Sequence, residues 1–113
     1  MKSKEINSDN APVVAGGYAQ AREVTDSNRT LYISGQIPVT ADGKTPASFE
    51  EQAHVAWNNV KAQLSAANMG IENLVKVTIF LADRKYALPN RTSPCLGIGG
   101  SQNRSYGYYY WYF

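Results

Sequence analysis

The stretch Ser48-Phe-Glu-Glu-Gln-Ala-His-Val-Ala-Trp-Asn-Asn-Val-Lys-Ala-Gln-Leu-Ser-Ala-Ala-Asn-Met-Gly70 decides the fold, because its pattern suits one kind of element. Ala53, Ala56, Trp57, Val60, Leu64 and Ala67 recur at steps of three and four. That spacing lines one face of an α-helix. Glu50, Gln52, Asn58, Asn59, Lys61 and Gln63 fall on the other side. Ser48 and Glu51 stand in the S-x-x-E arrangement of a capping box, in which the hydroxyl takes an orphan N–H of the first turn. Gly70 is the expected C-terminal stop. The pattern predicts a helix of about six turns, whose single apolar face needs a sheet to cover it.

Outward from that helix the chain reads as strands. Leu74 to Ala82 is predicted as one, with Val75, Val77, Ile79 and Leu81 alternating with Lys76, Thr78 and Phe80. Upstream, Tyr18–Val24 and Thr30–Gly35 are expected to pair as a hairpin around the turn cluster Thr25-Asp-Ser-Asn28. Residues 1–17 are polar and read as a lead-in loop. Pro38 to Pro46, with Asp42-Gly43 inside it, is a loop or a further short hairpin. The order strand, strand, helix, strand implies an α+β domain with a long helix packed on one face of a sheet.

Between the second strand and that loop lies Tyr32-Ile-Ser-Gly-Gln-Ile-Pro38. Here an apolar run meets a Ser-Gly pair and then a proline. Glycine removes the Cβ and allows a close approach of backbone or ligand. Ser34 adds a hydroxyl and Gly35 an unshielded N–H, a combination that suits a small polar or anionic guest.

Composition narrows the classes. The chain has 113 residues, a net charge of +2, 43% hydrophobic and 18% charged residues, which fits one ordinary globular domain. The basic residues are scattered and form no patch for nucleic acid. No apolar run approaches the ~20 residues of a membrane span. Met1-Lys-Ser-Lys-Glu-Ile-Asn7 lacks the apolar core of a secretory signal. Cys95 is the only cysteine, so no internal disulfide can form, and a cytoplasmic, reducing location is expected. His54 is the only histidine, which excludes a His-rich metal cluster; we read it as a surface or helix-packing residue. Trp57 and Phe49 read as core or subunit-contact residues. Ala15-Gly16-Gly17 lacks the G-K-[ST] of a phosphate loop.

Taken together, these segments resemble the Rid family of reactive-intermediate deaminases, also called YjgF, translation inhibitor or L-PSP endoribonuclease. The resemblance rests on Asn10-Ala-Pro12, Gly17-Tyr-Ala-Gln-Ala21, Ile33-Ser-Gly-Gln-Ile-Pro38, Gln52, Asn59-Val-Lys-Ala62, Ala66-Ala67, Gly70 and Leu74-Val-Lys-Val-Thr-Ile-Phe-Leu81. It covers roughly residues 5–91, so we divide the chain into a Rid-like domain, 1–91, and a Tyr-rich tail, 92–113. The resemblance implies a chorismate-mutase-like α+β fold and a homotrimer with ligand pockets between subunits. It also implies hydrolysis of enamines and imines such as 2-aminoacrylate to a keto acid and ammonia, with no metal or organic cofactor. Tyr18, Ser34, Gly35 and Asn90 match substrate-binding positions, with Gly17 where the family has a proline. Two alternatives stand beside the deaminase. One is a non-catalytic trimeric binder of small carboxylates. The other is the endoribonuclease or translation-inhibitor role described for some relatives, for which the chain offers no general-base pair.

Two family residues have no counterpart, so the catalytic residues stay unassigned. One is an arginine that clamps the substrate carboxylate, a task suited to a bidentate guanidinium. The other is a later glutamate proposed to activate water. Arg91 sits too early, Arg104 is followed by no matching strand, and no Asp or Glu follows Asp83. The tail Ser105-Tyr-Gly-Tyr-Tyr-Tyr-Trp-Tyr-Phe113 is unlike the end of a Rid domain. Read one base later, codons for Gly107-Tyr-Tyr-Tyr-Trp-Tyr112 can encode Val-Ile-Ile-Thr-Gly-Ile, an apolar strand. Arg91-Thr-Ser-Pro-Cys-Leu-Gly97 likewise permits Glu-Arg-His-Arg-Val-Leu-Gly after the arginine. This predicts a reading frame that slips near residue 91. The Tyr-rich run has enough β propensity to serve as a substitute strand, or it is a sticky, aggregation-prone end.

Overall fold

The structure is a computed structural model that describes residues 1–13, 19–81 and 85, together with the backbone of 107–111. Its elements run β1 (Lys2–Ile6), β2 (Ala21–Thr25), α1 (Phe49–Ala66), a 3₁₀ turn (Ile71–Asn73), β3 (Lys76–Phe80) and β4 (Gly107–Trp111). The α+β class follows, in two pairs of strands: β1 antiparallel to β2, and β3 parallel to β4.

Helix α1 forms as its pattern requires. The Ser48 side chain accepts the Glu51 N–H at 3.2 Å, and Glu50 and Glu51 place negative charge in the first turn, where the helix dipole favours it. Ala53, Trp57 and Leu64 are buried. Trp57 packs with Val60, Leu74, Val77 and Ile79, so the inward residues of β3 meet the apolar stripe of the helix. Phe80, on the opposite face of β3, stays exposed.

The far end of α1 corrects one expectation. The helix spans 18 residues and caps at Ala67, about half a turn earlier than a stop at Gly70 would place it. The left-handed residue is Asn68, at φ 56°. Met69 N–H donates to Leu64 O at 2.9 Å and Asn68 N–H to Ser65 O at 3.0 Å, the paired bonds of a Schellman motif. Asparagine tolerates this conformation better than other residues with a side chain. Gly70, at φ −127°, instead opens the 3₁₀ turn, its N–H donating to Asn73 Oδ1 at 2.9 Å.

The N-terminal region corrects two more. Lys2–Ile6 is a strand where a loop was expected, and the partner of β2 is β1 and not Thr30–Gly35. The polar sequence of β1 hides its role, because its pairing uses charge. Lys4 lies opposite Glu23, and Glu5 opposite Arg22 at 3.3 Å between charged atoms. Opposite charges across a ladder favour that register. Thr30–Gly35 has high β propensity but carries no ladder among the described residues. Propensity there measures fit to a half-covered pleated surface. Of its residues only Ile33 is half-buried, while Tyr32 is 89% exposed.

Candidate functional site

Ser34 and Gly35 both lie on the surface. The Gln36 side-chain amide folds back and donates to Ser34 O at 3.0 Å. A Cβ built on Gly35 would meet no described atom within 4 Å, so among the described residues the space beside its backbone is open. Ile37 follows, 64% exposed. This irregular stretch thus presents a hydroxyl and bare backbone bordered by apolar surface.

The next residues are held by unusual means. Val39 N–H donates to Ile37 O at 2.8 Å, closing a γ-turn centred on Pro38. Asn59 Nδ2 donates to Ile37 O and to Val39 O, each at 3.0 Å. Gln52 Nε2 donates to Pro46 O at 2.8 Å. Between these anchors Thr40 N–H donates to Lys44 O at 2.8 Å and Gly43 N–H to Thr40 O at 2.9 Å, a tight turn in which Gly43 adopts φ 84°. The glycine suits that positive φ, and the expected Asp42-Gly43 turn is present. The Thr40 hydroxyl donates to the Asp42 carboxylate, and that bond holds the carboxyl below its ordinary pKa. Upstream, Arg29 Nη1 donates to Ala67 O at 3.0 Å, bringing positive charge to a helix end with no basic residue in its last turn.

Pattern reading placed Gln52 and Asn59 on the side of α1 away from the apolar stripe. They are half-buried and turned toward the backbone of residues 37–46. The signal was present in their spacing: seven residues is nearly two full turns, which sets them on one line along the helix. Of the four substrate-binding expectations, Ser34 and Gly35 are adjacent and both exposed. Tyr18 and Asn90 lie outside the described residues, as do Cys95 and Arg91. His54 is exposed and Phe49 half-buried. Among the described residues no group of three His, Cys, Asp or Glu side chains converges on a metal-sized site. No described helix is long and apolar enough to cross a membrane.

The helix capped at Ser48, the Trp57 cluster and the Ser34–Gly35 pair all fall inside a match to the family described as Endoribonuclease L-PSP, which extends over residues 8–90. The chain belongs to that family. This L-PSP chain is 43% identical over 76 residues to the Saccharomyces cerevisiae mitochondrial protein MMF1, a match covering 66% of this chain and 50% of the relative. It is 38% identical over 92 residues to the Escherichia coli 2-iminobutanoate/2-iminopropanoate deaminase, covering 80% and 70%. The chain therefore spans about half the length of the first of these relatives. Among solved structures, Escherichia coli TdcF with bound serine superposes with a TM-score of 0.68 at 27% identity, covering 97% of this chain and 85% of that one. The Yersinia pestis Rid-family protein YyfB gives a TM-score of 0.71 at 23% identity, a likeness of fold, covering 100% and 88%. These neighbours bear out the chorismate-mutase-like, Rid-type architecture.

Proposed function

We propose that this chain provides a Rid-type site for small carboxylate-bearing enamines and imines, centred on Ser34 and the Gly35 N–H. The observation that carries the reading is the exposed Ser34–Gly35 pair, with open space beside its glycine among the described residues. An exposed polar pair of this kind forms only part of a pocket. We propose that a neighbouring copy in a homotrimer supplies the rest, with Tyr18 and Asn90 completing the substrate contacts. Exposed Tyr32 and Ile37 border the pair and suit such a contact. The reaction follows the relatives: 2-aminoacrylate tautomerises to the imine, water adds at the imine carbon and ammonia leaves, giving pyruvate. The names of two relatives support this class, one an iminobutanoate/iminopropanoate deaminase and one solved with serine bound.

A second reading has its own support. Residues 84–113 hold no Asp or Glu, so no carboxylate among them can activate water. On that reading the chain binds small carboxylates without turning them over. One pair of measurements separates the two. Release of pyruvate and ammonia from freshly generated 2-aminoacrylate above the buffer rate supports the enzyme. A thermal shift with keto acids and amino acids, without turnover, supports the binder. A flat response in both sinks the site reading. A cytoplasmic location remains part of the proposal, although one relative is named as mitochondrial.

We also read residues 92–113 as translated out of frame, a tail whose Gly107–Trp111 strand lies parallel to β3. The family match stops at residue 90, which supports a break near there. Sequencing codons 85–113 tests it. A +1 frame running open through Val-Ile-Ile-Thr-Gly-Ile is expected, and stop codons or a polar tract in that frame would refute it.

A further inference from the structure

We propose that Asn59 is the positioning residue of the candidate site, its side-chain amide holding the Ser34–Val39 backbone against helix α1. This rests on the reading that Ser34 and Gly35 carry the ligand. Among the described residues the segment pairs in no ladder, so single side-chain bonds decide where its backbone stands. Ile37 O and Val39 O both accept from Asn59 Nδ2, at 3.0 Å each, across 22 and 20 positions of sequence. Ile37 O also closes the γ-turn at Pro38 by accepting the Val39 N–H. Asn59 therefore grips the chain two residues beyond the Gly35 N–H, at its sharpest bend. A ligand contact displaced by even one ångström loses much of its value, so the grip sets where Ser34 and Gly35 stand. Gln52 on Pro46 O, seven residues back on the same line of α1, anchors the far end of the loop.

The chemistry of the amide makes the proposal testable. An aspartate at position 59 keeps the shape but faces two carbonyl oxygens with a carboxylate that cannot donate. Protonation restores one donor, and the carbonyls push its pKa upward. The experiment compares amide hydrogen exchange in the wild type, Asn59→Asp, Asn59→Ala and Asn58→Asp, each corrected for intrinsic rate. Asn58 is the exposed neighbour and the control. At pH 7 the Val39 and Thr40 amides should exchange about tenfold faster in both Asn59 variants, the size expected for losing such bonds. Asn58→Asp should match the wild type. Near pH ~4, in the usual carboxyl range, Asn59→Asp should return toward the wild-type rate while Asn59→Ala stays fast. In parallel, affinity for pyruvate should fall about tenfold in both Asn59 variants at pH 7. If the wild type binds no pyruvate, the ligand reading fails and the exchange data still decide the grip. Unchanged exchange at Val39 and Thr40 in both Asn59 variants would overturn the proposal. So would unfolding of both, which would make Asn59 a determinant of the whole fold.

Discussion

Strand β3 and the segment 29–47 are both fastened to helix α1, by different forces. β3 is held by apolar contact, with Trp57 against Val77, Ile79 and Leu74. The segment is held by single polar side chains on backbone carbonyls: Arg29 on Ala67, Asn59 on Ile37 and Val39, and Gln52 on Pro46. Apolar burial is non-directional and scales with area, so it gives strength and tolerates small shifts. A hydrogen bond is directional and contributes only about 1 kcal/mol net, so it gives position more than strength. The candidate site sits on the segment held by position.

The strongest way to break this contrast is at Trp57, which is 5% exposed. Trp57→Ala should cost about 3–5 kcal/mol, a large share of the ~5–15 kcal/mol that keeps a domain folded. Chemical denaturation should show a cooperative loss of the whole fold. A loss confined to segment 29–47 would mean that the apolar half does not organise the molecule.

Ser48 stands at the junction of the two regions. Ser48→Ala removes the acceptor for Glu51 N–H and should cost about 1 kcal/mol, while Ser48→Asp should preserve most of the stability. Both are read from the denaturation midpoint. Equal destabilisation by Ala and Asp would show that the cap does not set the helix start.

The same contrast explains what was legible beforehand. Helix α1 and β3 could be read because their burial repeats with the period of their backbone: Ala53, Trp57 and Leu64 at helical steps, Val77 and Ile79 alternating. Strand β1 could not, since Lys-Ser-Lys-Glu-Ile has no apolar period and its register rests on charges that a distant segment supplies. Thr30–Gly35 misled in the opposite sense: β-branched and aromatic residues promise a strand, but a ladder also needs a partner. The Ser34–Gly35 pair itself stood out by residue type. Its fastening did not, because one asparagine among several on a polar helix side carries no local mark of what it touches. Asn68 in place of Gly70 as the helix stop is a similar case, settled by Schellman bonds between backbone groups.

Arg29 probes the polar side at lower cost. Its guanidinium meets the carbonyl end of α1, so Arg29→Ala should destabilise by about 0.3–1 kcal/mol. Part of that difference should fade as salt rises toward ~1 M, where charge interactions at an exposed site are screened within about 3 Å. Thermal unfolding of the wild type and the variant at low and high salt checks it. A salt-independent difference would assign the effect to the neutral part of the hydrogen bond.

The smallest expected effect lies at the tip of the same segment and is the cleanest in sign. The Asp42 carboxyl is held below its ordinary value, chiefly because the Thr40 hydroxyl donates to it, with Lys44 3.6 Å away adding to the same direction. A carboxyl whose folded pKa is lowered contributes stability that is present above its unfolded pKa. That contribution is lost as pH falls through the lower, folded value. Asp42 is fully exposed, so the change is small, and the group's own titration reports it better than global stability does. Following the Asp42 carboxyl by NMR should show a pKa below the ordinary value of an aspartate in the wild type, rising toward that ordinary value in Thr40→Val. The Trp57 contacts contain no titrating group, so the stability difference between wild type and Trp57→Ala should stay level over the same acid range. A shift of Asp42 that survives Thr40→Val but disappears when Lys44→Met is added would transfer its cause from the hydrogen bonds to the Lys44 side chain. The turn would then be held by charge, and the contrast between an apolar half and a hydrogen-bonded half would need a third, electrostatic element at its tip.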